Sequence, residues 1–301
     1  MILDKHSLSV IMAVHNEEKF LRQAIMSILD QSFKEFEFII VDDASSDTSP
    51  EIIRSIADED KRIIALKNPH RIGLTKSLNK ALKLANGQLI ARQDGDDISS
   101  LHRFKFQIET IKKDPNLAVI GTSYHVIDEQ NRRIKTRSLP RIPNLLKRNQ
   151  LAHGSVVMVK RVIQQLGGYN ESFKYAQDYE LWLRITRLTH FKIRNLTQPL
   201  YYLRMQRKSV GYSKAFEQRM YATYARKLLY QDANTLPPQS FGKPYVSLNI
   251  RDELNLAWKA FFESKIYILL CNTPMGISAL KVYRRIKRNF NLQTNSLMDL
   301  Y

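Results

Sequence analysis

The sequence LIARQDGDDIS, residues 89–99, joins an apolar run typical of a buried strand to three carboxylates within four positions. Asp94, Asp96 and Asp97 repel one another, so the cluster is costly unless a positive charge joins it. The simplest interpretation is a solvated turn, because Asp and Gly are ordinary turn residues. The flanking sequence decides between a turn and a binding site.

Strands and helices alternate through the first hundred residues. Strands are predicted from four apolar runs: LSVIMAV (8–14), FEFIIV (36–41), RIIAL (62–66) and QLIARQ (88–93). Helices are predicted between them from apolar residues at helical spacing (20–29), from SPEIIRSIA (49–57) and from LTKSLNKALKLANG (74–87). Ser49 is the predicted N-cap of the second helix, with Pro50 at its first position, and Gly87 is the predicted C′ residue of the third. Such alternation predicts an α/β fold in which helices cover both faces of a parallel sheet.

Polar residues follow three of these predicted strands, in AVHNEE (13–18), VDDASSD (41–47) and RQDGDD (92–97). In open parallel sheets ligands bind beyond the carboxyl ends of the strands, so Asp42 and Asp43 are expected to share one edge with the acidic cluster. No G-x-G-x-x-G follows the first strand and no G-x-x-x-x-G-K-[ST] occurs in the chain. The sequence motifs that would indicate a dinucleotide-binding site or a P-loop are therefore absent.

The second part of the sequence is less regular. A helix is predicted at 101–113, a strand at LAVIG (117–121) and another helix at DYELWLRITRL (178–188), which begins with Asp178. From about residue 216 the sequence is basic and helical in pattern, and NTLPPQSFGKP (234–244) is the best candidate for a boundary in the tail.

Composition and charge limit the class of protein. The chain has 44% hydrophobic and 25% charged residues, as soluble globular proteins do. It has no signal-peptide hydrophobic region, no apolar run of roughly 18 residues and a single cysteine, so we expect a reducing, cytoplasmic setting. Residues 1–130 carry 17 Lys and Arg against 20 Asp and Glu, whereas residues 131–301 carry 30 against 9. The basic part predicts an anionic partner, either nucleic acid or an acidic membrane surface.

Three segments together resemble a known family: LSVIMAVHNEEKFLRQAIMSILDQSFKEFEFIIVDDASSDTS (8–49), GLTKSLNKALKLANGQLIARQDGDDIS (73–99) and QDYELWLR (177–184). They resemble the large inverting glycosyltransferase family 2, of the bacterial surface-polysaccharide type, which has the GT-A fold. The resemblance spans roughly residues 7–213, and it is specific because several motifs occur in the right order and spacing.

The resemblance implies a domain organisation. A GT-A catalytic domain is expected over 1–215, in which 1–100 bind the nucleotide-sugar and 101–215 bind the acceptor and carry the catalytic residue. A C-terminal helical, basic region is expected over 216–301.

The resemblance also implies roles for the motifs. In the family, VDDASSD corresponds to the motif that holds the uracil and ribose of a nucleotide-sugar, DGDD to the metal-binding motif, and Asp178 to the catalytic base. The chemistry agrees, because carboxylates hold an anionic diphosphate only through a divalent cation, and Mn²⁺ or Mg²⁺ takes oxygen ligands. Asp96 and Asp97 are the expected metal ligands. The expected reaction moves a single sugar from a UDP-sugar to a hydroxyl of a glycan or lipid-linked saccharide acceptor.

The expected contacts to the nucleotide-sugar come from the strand ends and nearby loops: Ala13, His15, Asn16, Asp42, Asp43, Arg71, Lys76, Asp94, Asp96 and His153. Asp43 is expected at the nucleobase, with Asp42 either supporting it or forming a turn. His15 either stacks on the base or is structural. Arg71 and Lys76 either meet phosphate or are solvated surface charges.

Inverting transfer needs one base that accepts the proton of the attacking hydroxyl. Asp178 is expected to be that base. Its position at a helix start also suits an N-cap, and Glu180 is the alternative base.

The sequence departs from the family pattern in LRMQRKSVGYS (203–213), where Gln206 stands at a position that is often His in relatives. Arg204, Arg207 and Lys208 are expected to compensate electrostatically. The Gln-x-x-Arg-Trp motif of processive synthases is absent, which favours an enzyme that adds one sugar.

Other classes of protein remain as alternatives. A nucleic-acid-binding protein would explain the basic half, but the basic residues are dispersed and no known nucleic-acid-binding motif is present, so we expect no nucleic-acid partner. A sugar-phosphate nucleotidyltransferase would normally show a Gly-rich loop after the first strand, where AVHNEE has no glycine. A non-catalytic nucleotide-sugar sensor would differ from the enzyme only in turnover.

The C-terminal tail carries two predicted helix faces. The apolar one is formed by Leu254, Ala257, Trp258, Phe261 and Ile268, and the cationic one by Lys281, Arg284, Arg285 and Arg288. Such helices predict peripheral attachment to an anionic membrane surface, here at the inner face of the cytoplasmic membrane. The alternatives are packing on the catalytic domain and self-association into a homo-oligomer.

Overall fold

A computed structural model of the chain describes residues 7–206 and 215–230. The strands are β1 (Leu8–Val14), β2 (Phe36–Asp42), β3 (Ile63–Lys67), β4 (Leu89–Arg92), β5 (Ile98–Ser99), β6 (Leu117–Ile127), β7 (Arg133–Arg137), β8 (Val157–Val159) and β9 (Lys192–Arg204). The α-helices are α1 (Glu18–Leu29), α2 (Ser49–Glu59), α3 (Leu74–Leu84), α4 (Arg103–Lys113), α5 (Lys160–Gln165), α6 (Gln177–Leu188) and α7 (Ala215–Tyr230), and a 3₁₀ turn covers His153–Ser155.

The strands within these residues form one nine-stranded mixed sheet in the order β3-β2-β1-β4-β8-β6-β9-β5, with β7 paired to β6. The first four strands are parallel, as the alternation of strands and helices predicts. Beyond β4 the sheet becomes mixed, because β8 runs antiparallel to both β4 and β6 while β6 and β9 are parallel. The parallel sheet predicted from the first hundred residues is therefore confirmed, and the later strands extend it into a mixed sheet.

The central strands of the sheet are buried on both faces, which explains the continuous apolar runs near the start of the sequence. β2 is buried along its whole length and β1 almost so, as expected for strands covered on both faces. The apolar stripe of α1 is buried against them, as its helical spacing predicts. This packing fixes where the carboxyl ends of β1, β2 and β4 lie.

The structure corrects two predicted helix ends. Ser49 is the first residue of α2 rather than its N-cap, and its hydroxyl accepts a hydrogen bond from the Glu17 amide at 3.0 Å. Helix α3 ends at Leu84, and Gly87 is not a left-handed C′ residue. The Gly87 amide donates to Ser9 Oγ at 2.8 Å, so this glycine permits close approach of the chain to β1.

Replacing Gly87 by Ala is expected to destabilise the protein by about 3 kcal/mol, because a Cβ would lie 2.5 Å from the Ser9 amide nitrogen and 2.6 Å from the Leu8 carbonyl carbon. Both are backbone atoms that cannot move alone. The measurement is the free energy of unfolding in urea. Gly73→Ala is the control, because Gly73 has φ of 91° but open space around it, and about 1 kcal/mol of backbone strain is expected there. Equal losses in the two variants would contradict the steric explanation.

Part of the predicted C-terminal region is seen in α7, which packs against α6. The Phe173 ring contacts the rings of Tyr221 and Tyr224, with centroids 5.8 and 5.9 Å away. The boundary at 234–244, the apolar and cationic faces predicted in the tail, and Arg207 and Lys208 all lie outside the described residues. Within the ranges described, no helix has the length and apolar character needed to cross a membrane.

Candidate active site

The carboxyl ends of β1, β2 and β4 lie side by side, because β1 is hydrogen-bonded to both of the other strands. The loops that follow β1 and β2 are tied together. The Asn16 amide donates to Ser45 Oγ at 3.0 Å, and the Ser46 amide donates to Asn16 Oδ1 at 2.8 Å. Asn16 and Ala44 both have left-handed backbones, with φ of 57° and 56°. These constraints hold the site edge in one conformation.

Asp43 holds the loop that follows β3. Its Oδ1 accepts hydrogen bonds from Asn68 Nδ2 at 2.9 Å and the Ile72 amide at 2.8 Å, and its Oδ2 accepts one from the Gly73 amide at 2.8 Å. Burial alone would raise the pKa of Asp43, but these hydrogen bonds outweigh it and lower that pKa below its usual value. Asp43 is therefore a carboxylate whose oxygens are already engaged.

The neighbouring Asp42 is buried but less satisfied. Its Oδ1 accepts a hydrogen bond from the Ser45 amide at 3.1 Å, whereas its Oδ2 has no hydrogen-bond partner among the residues described. A buried carboxylate oxygen without a donor points to a missing ligand group. His15, at the end of β1, has Nδ1 2.9 Å from the Asp43 carbonyl oxygen, and Ala13 pairs with Val41 in the sheet.

Each carboxylate of the acidic cluster accepts a hydrogen bond from a different residue. Asp94 Oδ1 accepts a hydrogen bond from Arg92 Nη2 at 2.5 Å, and Asp96 Oδ2 accepts one from Gln206 Nε2 at 2.8 Å. Asp97 is buried, and its Oδ1 accepts a hydrogen bond from the Arg204 amide at 2.7 Å. Asp94 and Asp96 are thus the members of the cluster nearer to solvent.

The protein concentrates negative charge at this loop. Burial and then the charge of Asp94 raise the pKa of Asp96 to about 6. Burial, followed by the charges of Asp96 and Asp94, raises the pKa of Asp97 well above its usual value. Carboxyls that resist ionisation together are those that a bound cation would relieve.

Glu17 is a fourth carboxyl of this group, and the sequence interpretation missed it. Burial, followed by the charges of Asp96, Asp94 and Asp47, raises the pKa of Glu17 to about 8. A Cβ on Gly95 would lie 3.3 Å from Glu17 Cγ, so this side chain borders the acidic loop. The position of Glu17 in AVHNEE could have identified it, since Glu17 follows the same strand as His15.

The donor set fits a divalent cation that is shared with a substrate. Within 7–206 and 215–230, no group of three or more His, Cys, Asp or Glu side chains is arranged to hold a metal by itself. Mg²⁺ commonly takes only one or two protein carboxylates, while substrate phosphates and water complete its shell. Asp94 and Asp96 match that requirement in number and in chemistry.

Arg204 was expected to compensate electrostatically for Gln206, and the structure shows how it contacts the acidic loop. Its side chain is buried, and Nε donates to the Asp96 carbonyl oxygen at 2.8 Å while Nη1 donates to the Asp128 carbonyl oxygen at 2.8 Å. Nη2 donates to Gln23 Oε1 and Asn131 Oδ1, at 3.0 and 2.7 Å. Four of the five N–H groups of this guanidinium therefore donate to groups inside the protein, so Arg204 positions the acidic loop rather than meeting phosphate.

A buried network that the sequence interpretation also missed supports the same loop. Gln93 Nε2 donates to the carbonyl oxygens of Asp94 and Asp97, at 3.1 and 3.0 Å. Gln93 Oε1 accepts from Arg103 Nη1 at 3.1 Å and from Ser99 Oγ at 2.7 Å. Burial lowers the pKa of Arg103 to about 10, which leaves it charged at neutral pH. Arg103 is therefore a buried cation that, like Arg92 and Arg204, holds the segment that carries the acidic cluster.

Asp178 lies in the first turn of α6. The residue before the helix is Ala176, with φ of 54°, so Asp178 is the second helical residue and not the N-cap. It is half-buried, and its Oδ2 accepts a hydrogen bond from Asn149 Nδ2 at 2.7 Å. Its other oxygen has no hydrogen bond to the described part of the chain. The carboxylate is therefore oriented while keeping an acceptor available.

Glu180, the alternative base, is buried in an ion pair with Arg184. Its Oε1 and Oε2 accept hydrogen bonds from Arg184 Nε and Nη2 at 2.6 and 2.7 Å. Arg184 also donates to the carbonyl oxygens of Leu166 and Gly168, at 2.6 and 2.8 Å. This ion pair fixes the turn between α5 and α6 and leaves Glu180 no free oxygen for proton transfer.

His153 lies within electrostatic range of both Asp178 and Asp94. Its Nε2 is 2.9 Å from Tyr169 Oη, and burial followed by the charge of Arg92 lowers its pKa, whereas the charges of Asp178 and Asp94 act in the opposite direction. A Cβ on the adjacent Gly154 would lie 2.5 Å from Asp94 Oδ2. The short turn at His153–Ser155 is thus close to the acidic loop, and His153 also lies within electrostatic range of Asp178.

The two predicted phosphate contacts remain at the surface. Arg71 and Lys76 are exposed, and neither forms an ion pair within the described residues. Arg71 directly precedes the amides that Asp43 holds, so its backbone is fixed at the site edge.

Comparison with known proteins gives three findings. The sequence model of glycosyl transferase family 2 matches residues 9–162. The putative glycosyltransferase EpsE of Bacillus subtilis is 36% identical over 68% of this chain and 77% of its own. The UDP-Glc:alpha-D-GlcNAc-diphosphoundecaprenol beta-1,3-glucosyltransferase WfgD of Escherichia coli is 30% identical over 62% of this chain and 72% of its own.

Among solved structures, the fold is similar to that of the mannosyltransferase PcManGT from Pyrobaculum calidifontis, determined in complex with GDP-Man and Mn²⁺. The TM-score is 0.59 at 16% identity, and the alignment covers 93% of this chain and 80% of that one. At this identity the likeness concerns the fold alone.

Proposed function

This chain belongs to glycosyl transferase family 2, and on that premise we propose that it is a metal-dependent, inverting enzyme that moves one sugar from a UDP-sugar to an acceptor hydroxyl. The observation that carries the proposal is the gathering of Glu17, Asp94 and Asp96 at the ends of β1 and β4, where burial and neighbouring charge raise the pKa of Glu17 and of Asp96. A nucleotide diphosphate with a divalent cation supplies the charge that such a cluster lacks.

The proposed cation is Mn²⁺ or Mg²⁺, held by Asp96 together with Asp94. When bound, it neutralises the charge that develops on the leaving diphosphate. Asp97, the other ligand expected from the sequence, has Oδ1 committed to the Arg204 amide. We therefore assign Asp97 a supporting role, in which it fixes the loop that presents Asp96.

The nucleotide end of the donor is assigned to the β1 and β2 edge. Asp42, with its unpartnered Oδ2, is the proposed acceptor for a nucleobase N–H group, and His15 lies beside it. Asp43 acts indirectly, because its hydrogen bonds shape the loop that carries Arg71. Ala13 and Asn16 contribute backbone at this edge, and Lys76 remains a candidate phosphate contact.

The proposed base is Asp178. Attack by the acceptor hydroxyl on the anomeric carbon releases one proton, which a carboxylate at this position accepts. Asn149 holds one carboxylate oxygen and leaves the other for the substrate. The His153 turn is close to Asp94, and His153 is within electrostatic range of Asp178, so this turn is proposed to line the sugar pocket.

The proposed acceptor is a glycan or a lipid-linked saccharide of bacterial surface-polysaccharide synthesis. The name of WfgD, a relative with 30% identity, specifies an acceptor built on diphosphoundecaprenol. We propose that this chain likewise works at the inner face of the cytoplasmic membrane.

A donor panel tests the proposal. The purified full chain is incubated with UDP-, GDP- and TDP-sugars, with Mn²⁺, with Mg²⁺ or with EDTA, and release of the nucleoside diphosphate is measured. The expected result is metal-dependent hydrolysis of UDP-sugars, stimulated by acceptor. Binding of a nucleotide-sugar without any turnover would favour a sensor. Tight, steeply salt-dependent binding of nucleic acid without turnover would favour a nucleic-acid-binding protein.

A further inference from the structure

The segment 132–148, here called the basic segment, comprises β7 and the loop that follows it. No Asp or Glu occurs between Glu129 and Glu171. The basic segment contains seven exposed cationic side chains: Arg132, Arg133, Lys135, Arg137, Arg141, Lys147 and Arg148. Only Arg132 forms an ion pair with the described residues, at 2.7 Å from Asp128. Among the described residues, the other six of these cations therefore have no ion-pair partner.

The same segment exposes large apolar side chains. Ile134, Ile142 and Leu146 are 52%, 73% and 57% exposed, and Ile142 is the most exposed large apolar residue in the described part of the chain. Exposed apolar residues scattered singly need no explanation, but here three occur within one 17-residue cationic segment.

This exposure is not the result of a loose backbone. The Leu139 amide donates to Ser123 Oγ at 2.8 Å, and Asn195 binds the carbonyl oxygens of Pro140 and Arg141, at 2.9 and 3.0 Å. These bonds anchor the start of the loop to β6 and β9.

The end of the loop is anchored as well. Arg226 Nη1 donates to the Lys147 carbonyl oxygen at 2.7 Å, and Tyr179 Oη donates to the Leu145 carbonyl oxygen. The fold thus fixes the main chain and directs Ile142 and Leu146 to the outside. A fixed loop that keeps apolar side chains in water is built to be covered by something else.

The basic segment also ends at the candidate base. Asn149 is the next residue after it, and this side chain holds the Asp178 carboxylate at 2.7 Å. Whatever binds the basic segment is therefore placed beside the residue that meets the acceptor hydroxyl.

We propose that the basic segment docks on an anionic lipid bilayer and so presents a membrane-bound acceptor to Asp178; the second clause rests on the function proposed above. Cations with apolar neighbours suit the boundary between lipid headgroups and acyl chains. Nucleic acid is a poorer fit, because sequence-independent binding of single strands uses aromatic stacking and residues 132–148 contain no aromatic side chain.

The test is co-sedimentation of the full chain with vesicles of phosphatidylcholine alone or mixed with phosphatidylglycerol, at low and high salt. Wild type is expected to bind only the anionic vesicles, and more weakly at high salt. Arg137→Ala/Arg141→Ala/Arg148→Ala is expected to lose about a hundredfold in vesicle affinity. Ile142→Ser/Leu146→Ser is expected to lose at least about tenfold.

Matched controls remove similar groups elsewhere. Lys105→Ala/Lys112→Ala/Lys113→Ala takes three exposed cations from α4, and Leu84→Ser takes a side chain that is 47% exposed at the end of α3. Both controls are expected to bind within about threefold of wild type. Hydrolysis of a nucleotide-sugar without vesicles is expected to be unchanged in every variant, which verifies folding.

Three results would overturn the proposal. The first is binding of the wild-type chain to neutral vesicles as tight as its binding to anionic vesicles. The second is vesicle binding at the wild-type level by both variants of the basic segment. The third is binding to oligonucleotides that is tighter than binding to vesicles and that the same two variants abolish. The vesicle measurement needs no donor. Loss of vesicle binding in the variants would therefore sustain the docking surface even if no nucleotide-sugar were turned over.

Discussion

Asp178→Asn is expected to lower kcat by about 10²- to 10⁴-fold while donor affinity changes little. The substitution keeps the size of the side chain and the hydrogen bond with Asn149, but it removes the proton acceptor. A base acts only as the acceptor hydroxyl attacks, so its loss appears in turnover rather than in binding of the nucleotide-sugar. Initial rates with acceptor and calorimetric titration of the donor measure the two quantities separately.

Asn149→Ala is the matched control for this result. It removes the group that orients Asp178 without removing the base, so a loss of about tenfold is expected, well below that of Asp178→Asn. Near-normal turnover in Asp178→Asn would contradict the assignment. The buried pair of Glu180 with Arg184 makes Glu180 unable to take over, so the base would then have to come from another element.

The adjacency of the three polar strand ends was predictable because it follows from local pattern. Each of β1, β2 and β4 is a short apolar run followed by polar residues, and parallel strands joined by helices bring such ends to one edge. Asp42, Asp43 and the acidic cluster are found together there for that reason.

The supporting contacts were not predictable, because they join residues far apart in the sequence. Arg204 was expected only to compensate for Gln206, yet its amide and guanidinium bind Asp97 and Asp96, more than a hundred positions earlier. Strand order beyond β4 is likewise a matter of long-range pairing that no periodicity encodes. Gly87 was misread as a helix cap because a close contact with β1 leaves the same signature, a glycine after a helix.

The adjacent carboxylates of the acidic loop differ in exposure and in hydrogen-bond partners, so their replacement is expected to have different effects. Asp96 is nearer to solvent, its pKa is raised, and its side chain accepts a hydrogen bond from the neutral Gln206 amide, so a bound cation would relieve its charge. Asp97 is already satisfied by the Arg204 amide. The two residues, adjacent in sequence, are therefore expected to differ when each is replaced by its amide.

Asp96→Asn is expected to reduce metal-dependent turnover by at least about a hundredfold, because a ligand that helps to neutralise the leaving diphosphate is lost. Binding of Mn²⁺ in the presence of UDP, followed by electron paramagnetic resonance, is expected to weaken in parallel, which gives a readout independent of activity. Asp97→Asn keeps an oxygen that can accept from the Arg204 amide, so it is expected to retain Mn²⁺ binding within about tenfold of wild type. Full activity of the wild-type chain in excess EDTA would refute the metal site altogether. Loss of Mn²⁺ binding in Asp97→Asn but not in Asp96→Asn would instead reverse the two assignments, since the buried carboxylate would then be the one that faces the cation.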